Sequence, residues 1–359
     1  MISIIDRYIS KTFLIYFMAG LIVFVTIFLA VDFMGAFSRY EVTTDVLLTY
    51  YGYSIPMIVY QMIPVGCLVA TVFTFSTFNK SNELVAMYSI GLSLARISAP
   101  ILSLIALISV FSFWLGDHLL PEFSKKKNYV YYVEIKKKPG LYSTVKTDKI
   151  WYRSENILFN IKSLNTDKKQ AFGITLYFFD DHWKLVQLIK AKTVDLKGSV
   201  WELKNGQVTL FAKDLQFPVT KAFTSKMISM NEDVADLENA SSSGEVMTLN
   251  QLKKFIKKNK EAGLDTLRYE VDYHSKYGFA FAAFVMSLIG IPFSVKRQRS
   301  GGAFVNIGIC MGLAFLYWVL FSSGITMGKH GLIPPVLAAW GANAIGMVSA
   351  GYLLTRLKQ

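Results

Sequence analysis

The sequence contains few cysteine and histidine residues, which form disulfides and bind metal ions. Its 359 residues include only two cysteines, Cys67 and Cys310, and four histidines scattered along the chain. Both cysteines lie inside apolar stretches, so they form no disulfide framework, and no spacing of cysteine and histidine is typical of a structural metal site. The sequence therefore predicts no metal site and no cofactor, and we expect both thiols to be small buried groups.

Motifs for nucleotide and peptide hydrolysis are also absent. The chain contains no G-x-x-x-x-G-K-[ST] phosphate-binding loop and no H-E-x-x-H zinc motif. No nucleophile elbow and no pair of catalytic carboxylates stands out. We therefore predict no catalytic residue and no enzyme activity, so any ATP that this protein uses would be bound by a different subunit.

Charged residues are few, at 18% of the chain, and their balance is basic, with a net charge of +13. Most of this charge lies between residues 118 and 276 and is mixed with acids rather than arranged in a stripe, so nucleic acid is not a predicted partner. Hydrophobic residues make up 53% of the chain and are grouped into blocks. This composition is typical of a membrane protein.

Six stretches lack Asp, Glu, Lys, Arg and His and meet or nearly meet the roughly 20 residues that a membrane-crossing helix needs. They are residues 12–31, 46–79, 97–116, 277–295, 300–328 and 331–355. The first is followed by Asp32-Phe33-Met34 rather than by a small-residue cleavage site, so we expect a retained helix and not a signal peptide. Because the six stretches hold no ionisable residue, a proton-coupled carrier is disfavoured.

Lysine and arginine in the short loops predict the orientation. With the N-terminus inside the cell, the inner loops hold Arg7, Lys11, Lys80, Arg96, Lys296, Arg297, Arg299, Arg356 and Lys358, whereas the short outer loops hold Arg39 and Lys329. This bias predicts cytoplasmic termini. The long segment between the third and fourth helices is then external.

That segment, residues 118–275, has a different pattern. Five stretches alternate apolar with polar residues, at 149–153, 156–162, 172–179, 183–189 and 206–212, with turn residues at 165–167, 180–181, 197–199 and 204–206. The pattern predicts an antiparallel sandwich, jelly roll or open barrel. An acidic, serine-rich and weakly ordered stretch is expected at 231–245, followed by a helix that begins after Thr248 and ends near Gly263.

The loop between the second and third membrane helices predicts a short helix within residues 80–92. Ser81 or Asn82 can cap it, and Glu83 falls in its first turn, where a carboxylate suits the helix dipole. Gly91 is expected to end the helix.

The predicted short helix has an apolar side. Leu84, Met87 and Tyr88 are expected to form one exposed apolar edge. Such a helix either lies flat on the lipid surface or docks a cytoplasmic partner. A flat helix usually carries several basic residues on its polar face, and this one has almost none.

Several segments together resemble the LptF/LptG lipopolysaccharide export permeases. Residues 82–93, N-E-L-V-A-M-Y-S-I-G-L-S, resemble the coupling helix of that family, and D-R-Y-I-S-K-T at 6–12 resembles the start of its LptG branch. L-x-x-F-I-x6-G-L-D-x3-Y at 252–269 resembles the run into the fourth helix, and G-L-I-P-P at 331–335 resembles the approach to the sixth. One departure is Asp32, where some relatives carry a basic residue.

The resemblance implies a fold and a task. The fold class is a polytopic α-helical membrane protein with six transmembrane helices, three and three, and an external antiparallel β-jellyroll-like domain inserted between helices three and four. Its parts would be residues 1–117, 118–275 and 276–359. The chain would be a permease subunit of an ABC-type exporter in a Gram-negative inner membrane. It would extract lipopolysaccharide from the outer leaflet of that membrane and pass it to a periplasmic bridge.

The resemblance also implies partners. A cytoplasmic ATPase dimer of the LptB type would bind ATP, and a second permease, identical or a paralogue, would face this chain across a cavity. LptC-type and LptA-type proteins would form the periplasmic bridge. The ATPase-coupling residues would be Glu83, Leu84, Met87, Tyr88 and Gly91.

Basic residues at the level of the outer headgroups are candidates for binding the lipid phosphates. They are Arg39, Lys125, Lys126 and Lys127. The alternative is ordinary charge beside a membrane helix. For the whole chain, the alternatives are a permease of another ABC exporter class and a membrane-anchored β-domain protein without a transport function.

Overall fold

The computed structural model describes residues 3–40, 42–137, 150–154, 156–165, 169–197, 200–211, 217–230, 246–261, 265–295 and 303–356. The chain forms two compact units. One combines Met1–Ser124 with Leu267–Gln359 and is helical, and the other, Lys125–Thr266, contains the sheet. Two predicted features, the weakly ordered stretch at 231–245 and the helix stop at Gly263, lie outside the described residues.

The described residues form nine α-helices. They are α1 (Ile4–Arg39), α2 (Thr44–Lys80), α3 (Glu83–Ser89), α4 (Leu94–Trp114), α5 (Leu120–Tyr129), α6 (Leu249–Glu261), α7 (Leu267–Val295), α8 (Ala303–Lys329) and α9 (Pro335–Thr355). Six helical segments are long and apolar enough to cross a membrane. The predicted fold class is confirmed, because three such segments precede the β domain and three follow it.

The first two spans are longer than their apolar stretches. At 1.5 Å per residue, the 36 residues of α1 measure about 54 Å, against a hydrocarbon core of roughly 30 Å. Ser3 and Asp6 form a reciprocal capping box at the start of α1. This capping box satisfies the backbone N–H groups of Ser3 and Asp6, so it supports a helix start well before the apolar stretch begins.

The third span continues past its apolar stretch as well. A π-helical turn, Leu115–Leu119, joins α4 to α5, and a second one, Val130–Ile135, follows α5. The whole segment Leu94–Ile135 is one helix of 42 residues. Such π turns insert an extra residue and change which side chains face the neighbouring helix.

The helical unit is built around α2 and α7, which are the most buried of the six spans. A polar hub joins α7, α8 and α9: Asn343 Nδ2 donates to Gly278 O (2.8 Å), and Tyr317 Oη donates to Asn343 Oδ1 (2.9 Å). A Cβ at Gly278 would overlap the carbonyl oxygen of Ala339. Glycine therefore allows α7 and α9 to approach closely, as small residues do between membrane helices.

The sheet unit contains six antiparallel strands in sequential order. They are β1 (Ile150–Ser154), β2 (Ile157–Asn165), β3 (Gln170–Phe179), β4 (Leu185–Lys197), β5 (Val200–Leu210) and β6 (Val219–Ser229). Neighbours in space are thus neighbours in sequence, so the described strands form a meander. The buried face includes Phe159, Leu176 and Trp201, and the rings of Phe159 and Trp201 meet edge to face at 5.3 Å.

Two details of the sheet differ from the prediction. The turn predicted at 204–206 is wrong, because β5 runs through it and Asn205 takes a φ of 53° inside the strand. The strand β6 was not among the five predicted stretches. It lies at the edge of the sheet and most of its side chains are exposed, so its sequence lacks a clear apolar alternation.

The helix α6 begins as the sequence predicted. Thr248 Oγ1 accepts a hydrogen bond from Gln251 N, and Gln251 Oε1 accepts one from Thr248 N, which is a capping box. Leu249 and Leu252 are buried, whereas Lys253 is exposed.

Candidate functional site

The short helix α3 lies in the loop between α2 and α4, and no side chain caps its start. Asn82 occupies the N-cap position with a left-handed φ of 60° and forms no side-chain capping bond. Ser81 Oγ instead lies 2.9 Å from Thr77 O and 2.8 Å from Glu83 Oε1, and these two acceptors share its one hydroxyl proton. The predicted cap by Ser81 or Asn82 is therefore wrong, since the left-handed backbone at Asn82 is what turns the chain from α2 into α3.

The other end of α3 is closed by backbone hydrogen bonds. Gly91 takes a φ of 87°, a conformation that suits glycine. Leu92 N donates to Met87 O (3.1 Å), and Gly91 N donates to Tyr88 O (2.9 Å). These bonds satisfy the last carbonyl groups of the helix.

The predicted exposed edge of Leu84, Met87 and Tyr88 needs correction. Leu84 is 2% exposed and Met87 is 8% exposed, and both belong to the apolar core that α1, α2 and α4 share. Residues three apart lie on one face of a helix. This face of α3 lies against the end of the helical unit, so these two side chains are packed and not offered to a partner.

A different apolar surface of the loop is exposed. Val85, Tyr88 and Ile90 are 53%, 37% and 66% exposed, and we call these three residues the α3 patch. The Tyr88 hydroxyl is protonated at neutral pH, as an ordinary tyrosine is, and can donate a hydrogen bond; partial burial raises its pKa further. The α3 patch therefore combines two aliphatic side chains with one aromatic side chain that carries a hydroxyl group.

Glu83 is one of the predicted ATPase-coupling residues, and its described contacts lie within the chain. Tyr8 Oη on α1 donates to Glu83 Oε2 (3.0 Å), and the Ser81 hydroxyl lies 2.8 Å from the other carboxylate oxygen. The Tyr8 ring stacks on Phe78 of α2, with 5.6 Å between ring centroids. Glu83 thus joins α3 to the first span.

A second polar contact lies beside it. Both guanidinium Nη atoms of Arg96, in the first turn of α4, donate to the two carboxylate oxygens of Asp6, at 2.7 and 2.8 Å. A bidentate pair of this kind fixes the orientation of both side chains. Sequence reasoning did not identify Asp6, Tyr8 or Arg96 as site residues, although Asp6 and Tyr8 belong to the opening motif that carried part of the family resemblance.

The four predicted phosphate-binding residues fall in two parts of the structure. Arg39 is exposed in the last turn of α1. Lys125, Lys126 and Lys127 lie in α5, where Lys126 is exposed and the other two are half-buried. Consecutive helical residues do not share a face, so the three lysines point in different directions around α5.

Two ion pairs join spans of the helical unit, and the sequence analysis predicted neither of them. Lys276 Nζ lies 3.5 Å from Asp117 Oδ1, and the two side chains are only 13% and 11% exposed. Lys276 also donates to Gly116 O (3.4 Å). Lys329 Nζ lies 2.7 Å from Asp272 Oδ1 and is 33% exposed. One signal could have suggested the first pair: Asp117 and Lys276 directly border two apolar stretches on the same predicted side of the membrane.

Among the residues that the structure describes, no group of three or more His, Cys, Asp or Glu side chains could hold a metal ion. The arrangement at α3 consists of a packed apolar underside, an exposed apolar patch and two polar links to α1.

Comparison with known proteins gives one consistent result. A profile of the family described as lipopolysaccharide export system permease LptF/LptG matches residues 7–356. This chain is similar to the lipopolysaccharide export system permease protein LptG of Haemophilus influenzae, with 24% identity over 99% of each chain. It is also similar to the protein of that name in Escherichia coli, with 21% identity over 99% of this chain and 98% of the relative. The predicted resemblance to this family, with the LptG branch favoured, is confirmed.

Proposed function

We propose that this chain, which belongs to the LptF/LptG family of lipopolysaccharide export permeases, is the membrane subunit of an ABC-type exporter driven by a separate ATPase. The chain is a multi-pass inner-membrane protein and a permease rather than an enzyme. Its sequence has no phosphate-binding loop. The free energy for moving a lipid must therefore come from another protein.

The α3 patch is the observation that supports an ATPase partner. A short helix with an exposed apolar surface can insert into a groove of a partner protein, as amphipathic helices do elsewhere. Leu84 and Met87 anchor the underside of α3, so a force on the α3 patch acts on the helical unit and not on a loose loop. We propose that a cytoplasmic ATPase dimer of the LptB type binds here.

We propose that the end of the helical unit that carries α3 is cytoplasmic. The start of α1 lies at the α3 end, because Tyr8 contacts Glu83 there, and Leu354 at the end of α9 packs against the core that contains Leu84 and Met87. Asn79 Nδ2 at the end of α2 donates to Val295 O at the end of α7 (3.2 Å), so the end of the fourth span lies there too. The excess of Lys and Arg in the loops of this end supports the assignment. The sheet unit would then be periplasmic.

The proposed cargo is lipopolysaccharide, taken from the outer leaflet of the inner membrane. Large apolar side chains are exposed along α1, α8 and α9, for example Ile22, Phe315 and Val348. Such faces suit contact with acyl chains or with a second permease of the same family. The sheet unit would pass the lipid to a periplasmic bridge of LptC-type and LptA-type proteins.

One experiment tests this function. The chain, purified in detergent from its own membranes, should bring an ATPase with it. The purified complex, in liposomes that contain lipopolysaccharide, should release this lipid to a periplasmic acceptor only when ATP is present. If no ATPase copurifies, or if release does not depend on ATP, the proposal is wrong.

Cysteine labelling in whole cells tests the orientation. Cys67 and Cys310 are buried, so the background from native thiols should be low. An impermeant thiol reagent is expected to label His182→Cys, in an exposed turn of the sheet unit, and to spare Ser89→Cys on α3. The reverse pattern would contradict the proposed topology.

Replacement of Arg39, Lys125, Lys126 and Lys127 by Gln is expected to weaken photocrosslinking of lipopolysaccharide by about tenfold. A hydrogen bond to a charged group contributes roughly 1.5–3 kcal/mol, and about 1.4 kcal/mol corresponds to tenfold in binding. The matched control replaces four exposed lysines elsewhere, Lys184, Lys192, Lys253 and Lys254. Equal crosslinking of both variants at equal protein levels would mean that the four predicted residues are ordinary juxtamembrane charge.

A further inference from the structure

The first turns of α1 are tied to the loop around α3 by contacts between residues distant in sequence. The bidentate pair joins Asp6 to Arg96 across 90 positions, and the hydrogen bond from Tyr8 reaches Glu83 across 75 positions. We call these four residues the N-terminal clamp. Asp6 and Tyr8 come from the opening D-R-Y motif, whereas Glu83 and Arg96 lie near the two ends of the loop between α2 and α4.

Apolar packing surrounds the N-terminal clamp. Ile9 and Phe13 of α1 lie in the same buried core as Leu84 and Met87 of α3 and Ile97 of α4. The core and the polar contacts together hold the start of α1 against α3. A displacement of α3 therefore acts directly on the first span.

The rest of α1 buries less of its surface within the chain, although the ring of Phe33 still contacts that of Tyr51 on α2. The buried residues of α1 are Ile9, Phe13 and Phe17, all in its first half. Farther along, Asp32 accepts a hydrogen bond from Tyr51 (2.8 Å), but the large side chains from Ile22 to Phe37 are mostly exposed. Because a continuous helix is stiff, motion imposed at its clamped end is carried along its length of about 54 Å.

Helix capping alone does not account for the N-terminal clamp. Asp6 also accepts a hydrogen bond from Ser3 N (3.1 Å), and Asp6 N donates to Ser3 Oγ (3.1 Å). These two capping hydrogen bonds form between Ser3 and Asp6 and do not involve Arg96. Arg96 is about half-exposed, at 48%, and an exposed ion pair contributes little to folding stability. What the bidentate geometry does provide is a fixed position of α1 relative to α4 and α3.

We propose that the N-terminal clamp transmits movement of α3 to the first span, so that Asp6, Tyr8 and Arg96 are positioning residues for transport. The inference rests on the proposed function, because a bound ATPase must move α3. With the clamp intact, α1 follows α3 when the ATPase changes conformation. With the clamp broken, α3 moves without α1, and ATP is hydrolysed without release of lipid.

Asp6→Asn in the assembled exporter tests the proposal. Asparagine keeps the size and the capping capacity of aspartate but removes its charge. We expect the lipid released per ATP hydrolysed to fall about fivefold, with an unchanged amount of copurified ATPase, because the α3 patch is intact. Tyr8→Phe, which keeps the ring against Phe78, should lower the ratio about twofold. Asp6→Arg combined with Arg96→Asp should recover at least half of the wild-type ratio.

Ser3→Ala is the matched control. It removes the capping hydrogen bond from Asp6 N and leaves the carboxylate opposite Arg96. The ratio of lipid to ATP should stay at the wild-type value. A fall as large as that of Asp6→Asn would mean that helix capping, and not the clamp, matters, and the proposal would be overturned.

Hydrogen exchange of the chain alone, in detergent, tests the N-terminal clamp independently of ATPase binding. We expect the amides of residues 83–92 to exchange at least fivefold faster in Asp6→Asn than in wild type or Ser3→Ala. Unchanged exchange would overturn the clamp whether or not an ATPase binds. A wild-type chain that binds no ATPase would refute the proposed function instead. Asp6→Asn complexes that lose ATPase but keep the full ratio would also overturn the clamp, since its role would then be docking.

Discussion

Val85→Asp combined with Tyr88→Asp is expected to release the ATPase from the purified exporter. Both side chains are exposed in the chain and would be buried in the proposed interface. An unpaired carboxylate transferred into an apolar groove costs several kcal/mol. A loss of about 2.7 kcal/mol already corresponds to a hundredfold weaker complex. The measurement is the ratio of ATPase to permease after affinity purification, together with ATP-dependent lipid release.

Two further variants give this experiment its controls. Trp183→Asp changes a similarly exposed apolar residue in a turn of the sheet unit and should keep the ATPase bound. Leu84→Asp places a charge in the packed underside of α3, so it should lower the stability of the chain itself. If the Val85 and Tyr88 double variant retains full ATPase association and full transport, α3 is only a surface helix.

Lys276→Met is expected to destabilise the helical unit by about 3–5 kcal/mol, because it removes one partner of a buried ion pair. Asp117 would keep its place on the π turn, where His118 Nδ1 lies 3.8 Å from its carboxylate, but it would lose the ammonium group of α7. Replacement of both members by apolar residues, Asp117→Leu with Lys276→Met, should recover most of the loss. Thermal unfolding in detergent of the two single variants and the double variant measures the coupling.

Lys329→Met provides the comparison for this prediction. Lys329 pairs with Asp272 of α7, and its side chain is 33% exposed against 13% for Lys276, while the two aspartates are 15% and 11% exposed. Because water reaches the site of the lost ammonium group more easily at Lys329, we expect a smaller loss of stability than for Lys276→Met. The prediction would be contradicted if Lys276→Met and Lys329→Met lost equal stability, or if the double variant recovered none. Burial of the pair between Asp117 and Lys276 would then not determine the stability of the helical unit.

The membrane architecture could be predicted from the sequence because lipid leaves few options. A backbone segment in the hydrocarbon core must satisfy its own hydrogen bonds, so an uncharged apolar stretch of about 20 residues is almost always a helix. Antiparallel strands with one buried face leave a period of two, as in residues 172–179, which lie within β3. These signals are local. The family could be predicted as well, because several motifs that resemble it occur in the same order along the chain.

The ends and edges of elements were less predictable. The spans extend beyond their apolar stretches because helical hydrogen bonding continues wherever capping, π turns or ion pairs support it, as at Asp117. The strand β6 escaped prediction because an edge strand with two largely exposed faces has little apolar alternation.

Local sequence patterns are enough to predict six spans, three before and three after an antiparallel β domain, and a short helix with Glu83 in its first turn. The inward orientation of Leu84 and the outward orientation of Val85 follow from tertiary packing. A helix of two turns with apolar residues on several sides carries no signal for which side meets the protein. The structure likewise decided that Asp6 meets Arg96, because a contact across 90 positions depends on how the spans pack and leaves no local pattern.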